Sequence, residues 1–378
     1  MLGIPAHFCF LYLLLMAISR LDIEAFMQLA PQAVVLDVRS PAEYSHAHIP
    51  GAISLPLFSD EERKVVGTAY KQQSREMAIK IGLDFFGPKM RGIVEKTEAL
   101  CAEKKSVVEN ADVKIKTPVL VHCWRGGMRS GGIAWLLDLY GFNVFTLAGG
   151  YKRFRNYALA SFSLPLKYNV LGGYTGSGKT NLLQELSKNG KQVIDLEGLA
   201  NHKGSAFGAI GQPECPTQEM FENLLATNIR KFAESKEPIW IEDESQRIGP
   251  INLPAVFWNV VKKSPVYFLD IPFEKRLALL ECEYGKLEKE KMVNAIIRIQ
   301  KRLGGLETKT AINFLLEDNV LECFRILLKY YDKLYLKGLN SKEDQATKIF
   351  KIECDVTDAI LNADKVIKVE KSNSINMV

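Results

Sequence analysis

Residues 119–130 read Val-Leu-Val-His-Cys-Trp-Arg-Gly-Gly-Met-Arg-Ser, and this stretch decides the fold of the first half of the chain. Its apolar opening predicts a buried strand, and the apolar spacing of residues 133–139 predicts a helix after it. Cys123 therefore lies in a loop between a strand and a helix. Gly126 and Gly127 allow the loop backbone to turn its N–H groups inward, as in an anion-binding nest at the positive end of a helix.

The chemistry expected of this loop is that of a reactive thiolate. The helix end, together with the two arginines of the loop, would lower the pKa of Cys123 and make it a nucleophile near neutral pH. The alternative is a buried free cysteine beside an arginine-rich turn, but a cysteine that opens a glycine- and arginine-rich loop favours the nucleophile. We therefore predict that Cys123 is catalytic. The residues predicted to bind an anion around it are Trp124, Arg125, Gly126, Gly127, Met128, Arg129 and Ser130.

The bulk composition is typical of a soluble protein with two or three domains. Of its 378 residues, 47% are hydrophobic and 25% are charged. A net charge of +5 is compatible with a nucleic-acid partner but does not identify one. The seven cysteines are odd in number and show no CxxC spacing, which argues against a disulfide framework or a metal site and favours the cytoplasm.

An apolar run from Phe8 to Ile18 is the unusual feature of the N-terminus. It has about the length of a signal-peptide core, but no Lys or Arg precedes it, and it is too short to span a bilayer. We expect either that translation starts at Met16 or that residues 1–19 are an apolar extension packed on the first domain. Neither export nor membrane attachment is expected.

The segment upstream of the cysteine loop completes a first domain, which we place at residues 20–155. Residues 34–39 read Val-Val-Leu-Asp-Val-Arg, and residues 48–56 read His-Ile-Pro-Gly-Ala-Ile-Ser-Leu-Pro. With the cysteine loop at a later strand end, these segments resemble a rhodanese domain. The resemblance implies that Asp37, Arg39 and Glu43 hold loops beside the site.

The spacing within the cysteine loop differs from that of rhodaneses that transfer sulfur. Five residues separate Cys123 from Arg129, one more than those enzymes have. The longer loop resembles that of dual-specificity phosphatases, in which more backbone donors surround a phosphate-sized anion. The sequence therefore predicts a site for phosphate or a phosphate analogue.

A second site is predicted from residues 167–180, Lys-Tyr-Asn-Val-Leu-Gly-Gly-Tyr-Thr-Gly-Ser-Gly-Lys-Thr. They match GxxxxGK[ST] between a predicted strand and a predicted helix, which is typical of a phosphate loop. Backbone amides would wrap a diphosphate, Lys179 would supply positive charge, and Thr180 could bind Mg²⁺. The predicted phosphate-binding residues are Gly173, Gly176, Ser177, Gly178, Lys179 and Thr180.

Strands that alternate with helices predict a parallel α/β domain over residues 166–340, with a helical C-terminal part and a tail at residues 341–378. Glu242 and Asp243 follow a predicted strand, as in a Walker B element, although acids that only cap a strand would read the same way. The residues predicted as substrate or RNA contacts are Asp195, Glu197, His202, Lys203, Ser205 and Arg247, with a basic helical face at Arg298, Lys301 and Arg302.

Taken in order, these motifs and the Lys-Gln-Gln segment at residues 71–73 resemble the bacterial tRNA 2-selenouridine synthase family. That family replaces the sulfur of wobble 2-thiouridine in tRNA with selenium from selenophosphate, and it also S-geranylates that sulfur with geranyl diphosphate. The resemblance implies a selenotransferase with geranyltransferase activity that acts on the anticodon stem–loop. Cys123 would carry activated selenium or attack as a thiolate. The phosphate loop would hold the geranyl donor beside an apolar groove.

Two other functions are compatible with the same residues. A Cys-loop phosphatase or sulfurtransferase coupled to a nucleotide-binding domain is suggested by the five-residue spacing. A nucleotide-regulated RNA-binding adaptor with an inert cysteine is the non-enzymatic alternative. The sequence does not separate a geranyl diphosphate site from a nucleotide site, and it does not give the oligomeric state or the Mg²⁺ requirement.

Overall fold

A computed structural model describes residues 18–107, 117–343 and 347–375. The chain divides into two compact units, Met1–Ala160 and Ser161–Val378. The apolar run of the N-terminus, apart from Ile18, lies outside the described residues. Among the helices that the structure describes, none combines the length and the apolar character that a membrane crossing requires.

The first unit is built on a five-stranded sheet in the order β1-β5-β4-β2-β3, with every strand pair parallel. The central strand carries the Val-Leu-Val run, whose three side chains are fully buried. Central parallel strands are covered on both faces, which explains a continuous apolar run instead of an alternating one. The strands are β1 (Ser19–Leu21), β2 (Val34–Asp37), β3 (Ile53–Ser54), β4 (Pro118–His122) and β5 (Asn143–Leu147).

Helices pack around this sheet and complete one apolar core. The charged segment that follows Ser59 forms a helix, because Ser59 and Glu62 make a reciprocal capping box at its start. Ser74 caps the next helix, so the two form a helical hairpin. The described helices are α1 (Ile23–Leu29), α2 (Pro41–His46), α3 (Asp60–Gln72), α4 (Arg75–Phe86), α5 (Met90–Val107), α6 (Met128–Tyr140) and α7 (Gly150–Ser161).

The second unit has its own five-stranded parallel sheet, in the order β12-β11-β6-β8-β7. A short antiparallel hairpin of β9 and β10 follows β8 in the chain. The predicted fold class is confirmed, because the chain is α/β and its second unit combines a parallel sheet with a helical C-terminal part. The strands are β6 (Tyr168–Gly173), β7 (Gln192–Val193), β8 (Ile239–Glu242), β9 (Arg247–Ile248), β10 (Ile251–Asn252), β11 (Val266–Asp270) and β12 (Ile349–Glu353).

The helices of the second unit fall into two groups, one on the sheet and one that forms the helical C-terminal part. The second group has a separate apolar core with Leu277, Ile296 and Leu327 at its centre. The described helices are α8 (Lys179–Lys188), α9 (Leu196–Ala200), α10 (Gln218–Lys231), α11 (Ala255–Val261), α12 (Phe273–Tyr284), α13 (Lys289–Leu303), α14 (Gly305–Leu316), α15 (Val320–Glu343) and α16 (Ala359–Ile375).

The described part of the segment expected to be a tail, residues 341–378, contributes an edge strand, Ile349–Glu353, and a helix, Ala359–Ile375, to the second unit. Strand β12 pairs with β11, and Ile352, Ala363 and Val366 are buried in the core beneath the phosphate loop. A single short strand near the chain end carries little local signal, because its apolar residues gain their partners only by pairing with a strand far away in the sequence.

Candidate active sites: a cysteine loop and a phosphate loop

The cysteine loop connects the central strand of the first sheet to helix α6. Strand β4 ends at His122, and α6 begins at Met128 with Gly127 at its N-cap, so the loop lies at the carboxyl edge of the sheet. Arg129 and Ser130 belong to the first turn of the helix. Ligands of open parallel sheets bind at this edge, close to positive helix ends.

Two groups from this helix end contact the thiol. Cys123 is 3% exposed, the Gly127 N–H donates to its Sγ over 3.4 Å, and the Ser130 hydroxyl oxygen lies 3.3 Å from Sγ. Burial by itself raises the pKa of Cys123, but the hydrogen bonds from Ser130 and Gly127 and the charge of Arg129 outweigh it, so the pKa is lower than usual. The arrangement favours a thiolate at the helix N-terminus.

Arg129 is held in place by a carboxylate from another helix. Its guanidinium donates to Glu43 over 2.6 and 3.3 Å, and Glu43 in turn accepts from the Ser40 N–H at the start of α2. The forked geometry restricts the guanidinium more than a single bond would. Glu43 therefore holds the arginine beside the thiol. Arg125 and Trp124, in contrast, are exposed at the rim of the loop.

The loop rests on the turn that precedes α7. The Tyr151 N–H donates to the Cys123 carbonyl over 2.8 Å, and the Lys152 N–H donates to the Trp124 carbonyl over 3.0 Å. Gly126 and Gly150 face each other there with φ of +63° and +59°, and a Cβ on either would lie closer than 3.0 Å to backbone atoms. The sequence signalled this contact only by a Gly-Gly pair at a turn.

A buried ion pair supports the same region from behind. Asp37 and Arg39 are bonded over 2.6 Å with almost no exposure, and the Arg39 guanidinium lies 3.8 Å above the ring of Tyr151. Arg39 also donates to the carbonyl of Ala47. The neighbouring His122 is fully buried, and burial lowers its pKa to about 4, so this imidazole is neutral near pH 7.

The phosphate loop connects β6 to α8, as its motif predicts. The Lys179 ammonium donates to the Gly173 carbonyl over 3.0 Å, and the Thr180 hydroxyl donates to Glu197 over 3.3 Å. The Ser177 hydroxyl donates to the Tyr174 carbonyl over 2.6 Å. The predicted phosphate-binding residues therefore lie together at one strand end, next to a carboxylate.

Acidic side chains are concentrated beside this loop. Burial and the adjacent Asp195 raise the pKa of Glu242 well above its usual value, and burial and Glu197 do the same for Glu244. Glu244, which was not among the residues predicted from the sequence, shares a side-chain hydrogen bond with Glu197, and the pKa of both carboxyl groups is raised. Glu244 is the second glutamate of the Glu-Asp-Glu run at residues 242–244, so the acidic run itself was visible in the sequence.

The two Walker-B-like residues, Glu242 and Asp243, have different hydrogen-bond partners. Glu242 is fully buried and accepts from the Leu196 N–H over 2.9 Å, which places it at the start of α9. Asp243 accepts from the Tyr335 hydroxyl over 2.6 Å, and the same hydroxyl accepts from the Gly173 N–H over 3.0 Å. Tyr335 on α15 therefore ties the acidic strand end to the phosphate loop. No local pattern in the sequence indicated this residue.

A cavity of about 660 Å³ adjoins the phosphate loop. Its lining includes polar side chains, among them Glu197, Lys203 and Ser205, and apolar side chains, among them Trp258 and Leu334. Of the described residues of this unit, no group of three or more His, Cys, Asp or Glu side chains is placed to hold a metal ion.

The remaining predicted contact residues do not line this cavity. Asp195 accepts from the Gly198 N–H and caps α9, and the His202 ring is packed against two glycines, Gly208 and Gly249. Arg247 is exposed on β9, where its Nε donates to the Gly249 carbonyl over 2.9 Å. The basic side chains Arg298, Lys301 and Arg302 are exposed on α13.

Comparison with known proteins assigns both units. The rhodanese-like domain family matches residues 23–157, and the tRNA 2-selenouridine synthase AAA domain family matches residues 166–364. A solved N-terminal domain of a putative ATP/GTP binding protein from Clostridium difficile 630 is 39% identical, with a TM-score of 0.32, and the match covers 37% of this chain and 99% of that one.

Three curated relatives match most of the chain, and each is named tRNA 2-selenouridine synthase. The protein of Nitrosomonas europaea is 31% identical over 363 residues, covering 82% of this chain and 89% of the relative. That of Sulfurovum sp. is 35% identical, covering 80% and 87%, and that of Hydrogenovibrio crunogenus is 34% identical, covering 82% and 90%. The resemblance seen in the motifs is thereby confirmed, and the chain belongs to the tRNA 2-selenouridine synthase family.

Proposed function

We propose that the protein exchanges the sulfur of wobble 2-thiouridine in tRNA for selenium from selenophosphate, by way of an S-geranyl intermediate made with geranyl diphosphate. Family membership supports selenium modification of tRNA, and the two donors are those that the family resemblance implies. The single observation that carries the proposal is the Cys123 loop, where the Gly127 amide and the Ser130 hydroxyl contact the sulfur at the N-terminus of α6 and the pKa of the thiol is lowered.

The cysteine loop would use selenophosphate through its phosphate end. Selenium in selenophosphate is already fully reduced, so a bond between selenium and the cysteine sulfur would require an oxidant. Attack of the Cys123 thiolate on phosphorus needs none. The S–P bond forms, the P–Se bond breaks, and hydroselenide leaves with the electron pair. Water then hydrolyses the phosphocysteine to phosphate, and the thiolate is restored.

The residues around Cys123 fit the charge that develops in this step. Loop amides such as that of Gly127, at the positive end of α6, would donate to the phosphoryl oxygens. Arg129, positioned by Glu43, would supply a fixed positive charge. The Ser130 hydroxyl keeps the thiol in its reactive form.

The phosphate loop would hold the diphosphate of the geranyl donor. Lys179 and the loop amides would bind its oxygens. Apolar residues of the cavity lining, such as Trp258 and Leu334, would contact the prenyl chain. The 2-thio sulfur attacks the first carbon of the geranyl group, and pyrophosphate leaves. Mg²⁺ usually takes one or two protein oxygens plus substrate phosphates, and Thr180 with Glu197 fits that requirement. The ion would supply charge neutralisation for the leaving pyrophosphate.

Selenium would then enter at the nucleobase. Alkylation converts the sulfur at C2 into a good leaving group, so hydroselenide adds to C2 and geranyl thiolate departs, leaving a C2–Se bond in place of C2–S. The anticodon loop presents its bases unpaired, so no duplex has to be opened. Exposed basic side chains such as Arg298 and Lys301 would contact the RNA backbone.

Nucleoside mass spectrometry of thiolated tRNA, treated with the full-length protein and each donor in turn, tests the proposal. Cys123→Ser should accumulate S-geranyl-2-thiouridine and form no selenouridine. Lys179→Met, which keeps the chain length but removes the charge, should form neither product. Normal selenouridine from Cys123→Ser would exclude the cysteine, and normal geranylation by Lys179→Met would exclude the phosphate loop as the donor site.

A Cys-loop phosphatase is the second candidate, because the five-residue spacing and the lowered pKa of Cys123 would also suit a phosphoester. Incubation with an aryl phosphate alone separates the two. Release of phosphate from it, with no change in tRNA nucleosides when selenophosphate is supplied, would favour the phosphatase.

A further inference from the structure

A second large cavity lies in the first unit, and none of the residues that line it belongs to the phosphate loop. It measures about 800 Å³, which is within the range of small-molecule sites. The helical hairpin of α3 and α4 and the start of α6 enclose it. Its floor is apolar and consists of buried residues, namely Leu57, Phe58, Ala78 and Phe86.

The rim of this cavity carries large apolar side chains that are exposed to solvent. Tyr70, Leu83, Met128 and Trp135 line it, and each is between 51% and 57% exposed. Isolated exposed apolar residues are common, but four large ones around one concavity mark a binding site. The cavity is concave and of small-molecule size, which favours an inserted apolar chain over a flat protein surface.

The charged residues that line the cavity are all positive. Four cationic residues and no acidic one appear among the residues that line it. Arg63 and Arg129 are both directed to Glu43, whereas Lys64 and Lys71 are exposed on α3. Separate lysine ammonium groups suit the spaced phosphates of an RNA strand better than they suit one compact diphosphate, which the backbone cradle of the second unit fits.

The cavity also adjoins the cysteine loop. Met128 and Arg129 belong both to the cavity lining and to the first turn of α6, whose N-terminal amide contacts the Cys123 sulfur. A group bound in the cavity therefore lies beside the residues that would release hydroselenide. The Lys-Gln-Gln segment, one of the motifs that resemble this family, begins with Lys71, which lines the same cavity.

We propose that this cavity binds the geranyl chain of the S-geranylated wobble nucleotide while selenium displaces the geranyl thiolate, which then stays there as the leaving product. The inference rests on the proposed function and adds a specific site for its intermediate. Lys64 and Lys71 face the flanking phosphates, and the apolar floor takes the prenyl chain. Binding of that chain directs C2 of the base towards the Cys123 loop.

Equilibrium binding of the full-length protein to two anticodon stem–loop RNAs tests the site. One RNA carries S-geranyl-2-thiouridine at the wobble position, and the other carries 2-thiouridine. Burial of the chain should make the geranylated RNA bind at least about tenfold more tightly. Leu83→Asn and Trp135→Ala should each reduce that preference about fivefold without weakening the 2-thiouridine RNA. Leu139→Asn, on the same helix as Trp135 but outside the cavity, should change neither affinity, because Leu139 is 62% exposed and lines no part of the cavity.

Steady-state kinetics distinguishes the two sources of a geranyl chain. Leu83→Asn should raise KM for the geranylated RNA in the selenium step and leave KM for geranyl diphosphate unchanged. A raised KM for geranyl diphosphate with an unchanged RNA preference would assign the cavity to the donor and overturn the inference. Equal affinities of the wild-type protein for both RNAs, with normal selenouridine formation, would overturn it while the proposed function stands. Loss of both products in the wild type would contradict the proposed function instead.

Discussion

Replacement of Gly150 by alanine should displace the cysteine loop without altering any side chain that carries the chemistry. A Cβ at this position would lie closer than 3.0 Å to the Cys123 carbonyl oxygen and to the Gly126 nitrogen. Both are backbone atoms, so no side-chain rotation can relieve the contact. The loop or the turn before α7 must move.

The magnitude follows from two separable costs. Gly150 has φ of +59°, and a residue with a Cβ pays about 1–2 kcal/mol in that conformation. Forcing apart two close-packed backbones costs about 1–3 kcal/mol more. Gly51 provides the matched control, because its φ is +84° but a Cβ there would meet nothing within 4 Å. Gly51→Ala therefore measures conformational strain alone, and the difference between the two variants measures the contact.

Two measurements check this prediction. Hydrogen exchange of β4 and α6 should show a fall in opening free energy of about 2–5 kcal/mol for Gly150→Ala and about 1–2 kcal/mol for Gly51→Ala. The pH midpoint of Cys123 alkylation, measured on the peptide that contains Cys123, should rise only in Gly150→Ala. The reason is that the Gly127 amide and the Ser130 hydroxyl would no longer be placed to bond the sulfur. Identical behaviour of the two variants in both measurements would refute the idea that the Gly126–Gly150 contact positions the loop.

Three further predictions concern groups around the same loop. Ser130→Ala should move the pH profile of Cys123 alkylation to higher pH, since a hydrogen bond that lowers the thiol pKa is lost; an unchanged profile would contradict this. Glu43→Gln keeps the helix cap but removes the ion pair with the loop arginine, so we expect a loss of about 1 kcal/mol in thermal unfolding and slower selenium insertion. Asp37→Ala should destabilise the first unit by about 3–5 kcal/mol in hydrogen exchange, because Arg39 stays buried without its partner, whereas Asp37→Leu combined with Arg39→Met should recover most of that loss.

Local patterns predicted the elements that carry both loops. Residues 118–122 form the central strand that the Val-Leu-Val run indicated, and α8 begins at the lysine of the phosphate-loop motif. These features depend on neighbours a few residues apart, whose spacing indicates the backbone conformation. The helix after Ser59 was not among these predictions, although its capping box spans four consecutive residues.

Other features depend on contacts between distant positions. The Glu43–Arg129 pair joins residues 86 positions apart, and Tyr335 reaches the phosphate loop over 162 positions. Neither pairing is visible as a pattern in the sequence, because a contact between remote residues requires no particular spacing between them. The sequence argument placed one apolar groove beside the phosphate loop, whereas the cavity at Leu83 and Trp135 was not anticipated.

The sequence by itself determined the α/β class, the cysteine loop and the phosphate loop, because each strand, loop and helix is marked by a short run of apolar spacing and glycines. Only the tertiary structure decided that Glu242 is buried at the start of α9, that β12 completes the second sheet, and that three helices enclose a cavity next to Cys123. Burial and cavity shape arise where surfaces from separate elements meet. Such meetings follow from packing of the whole unit and not from any one segment.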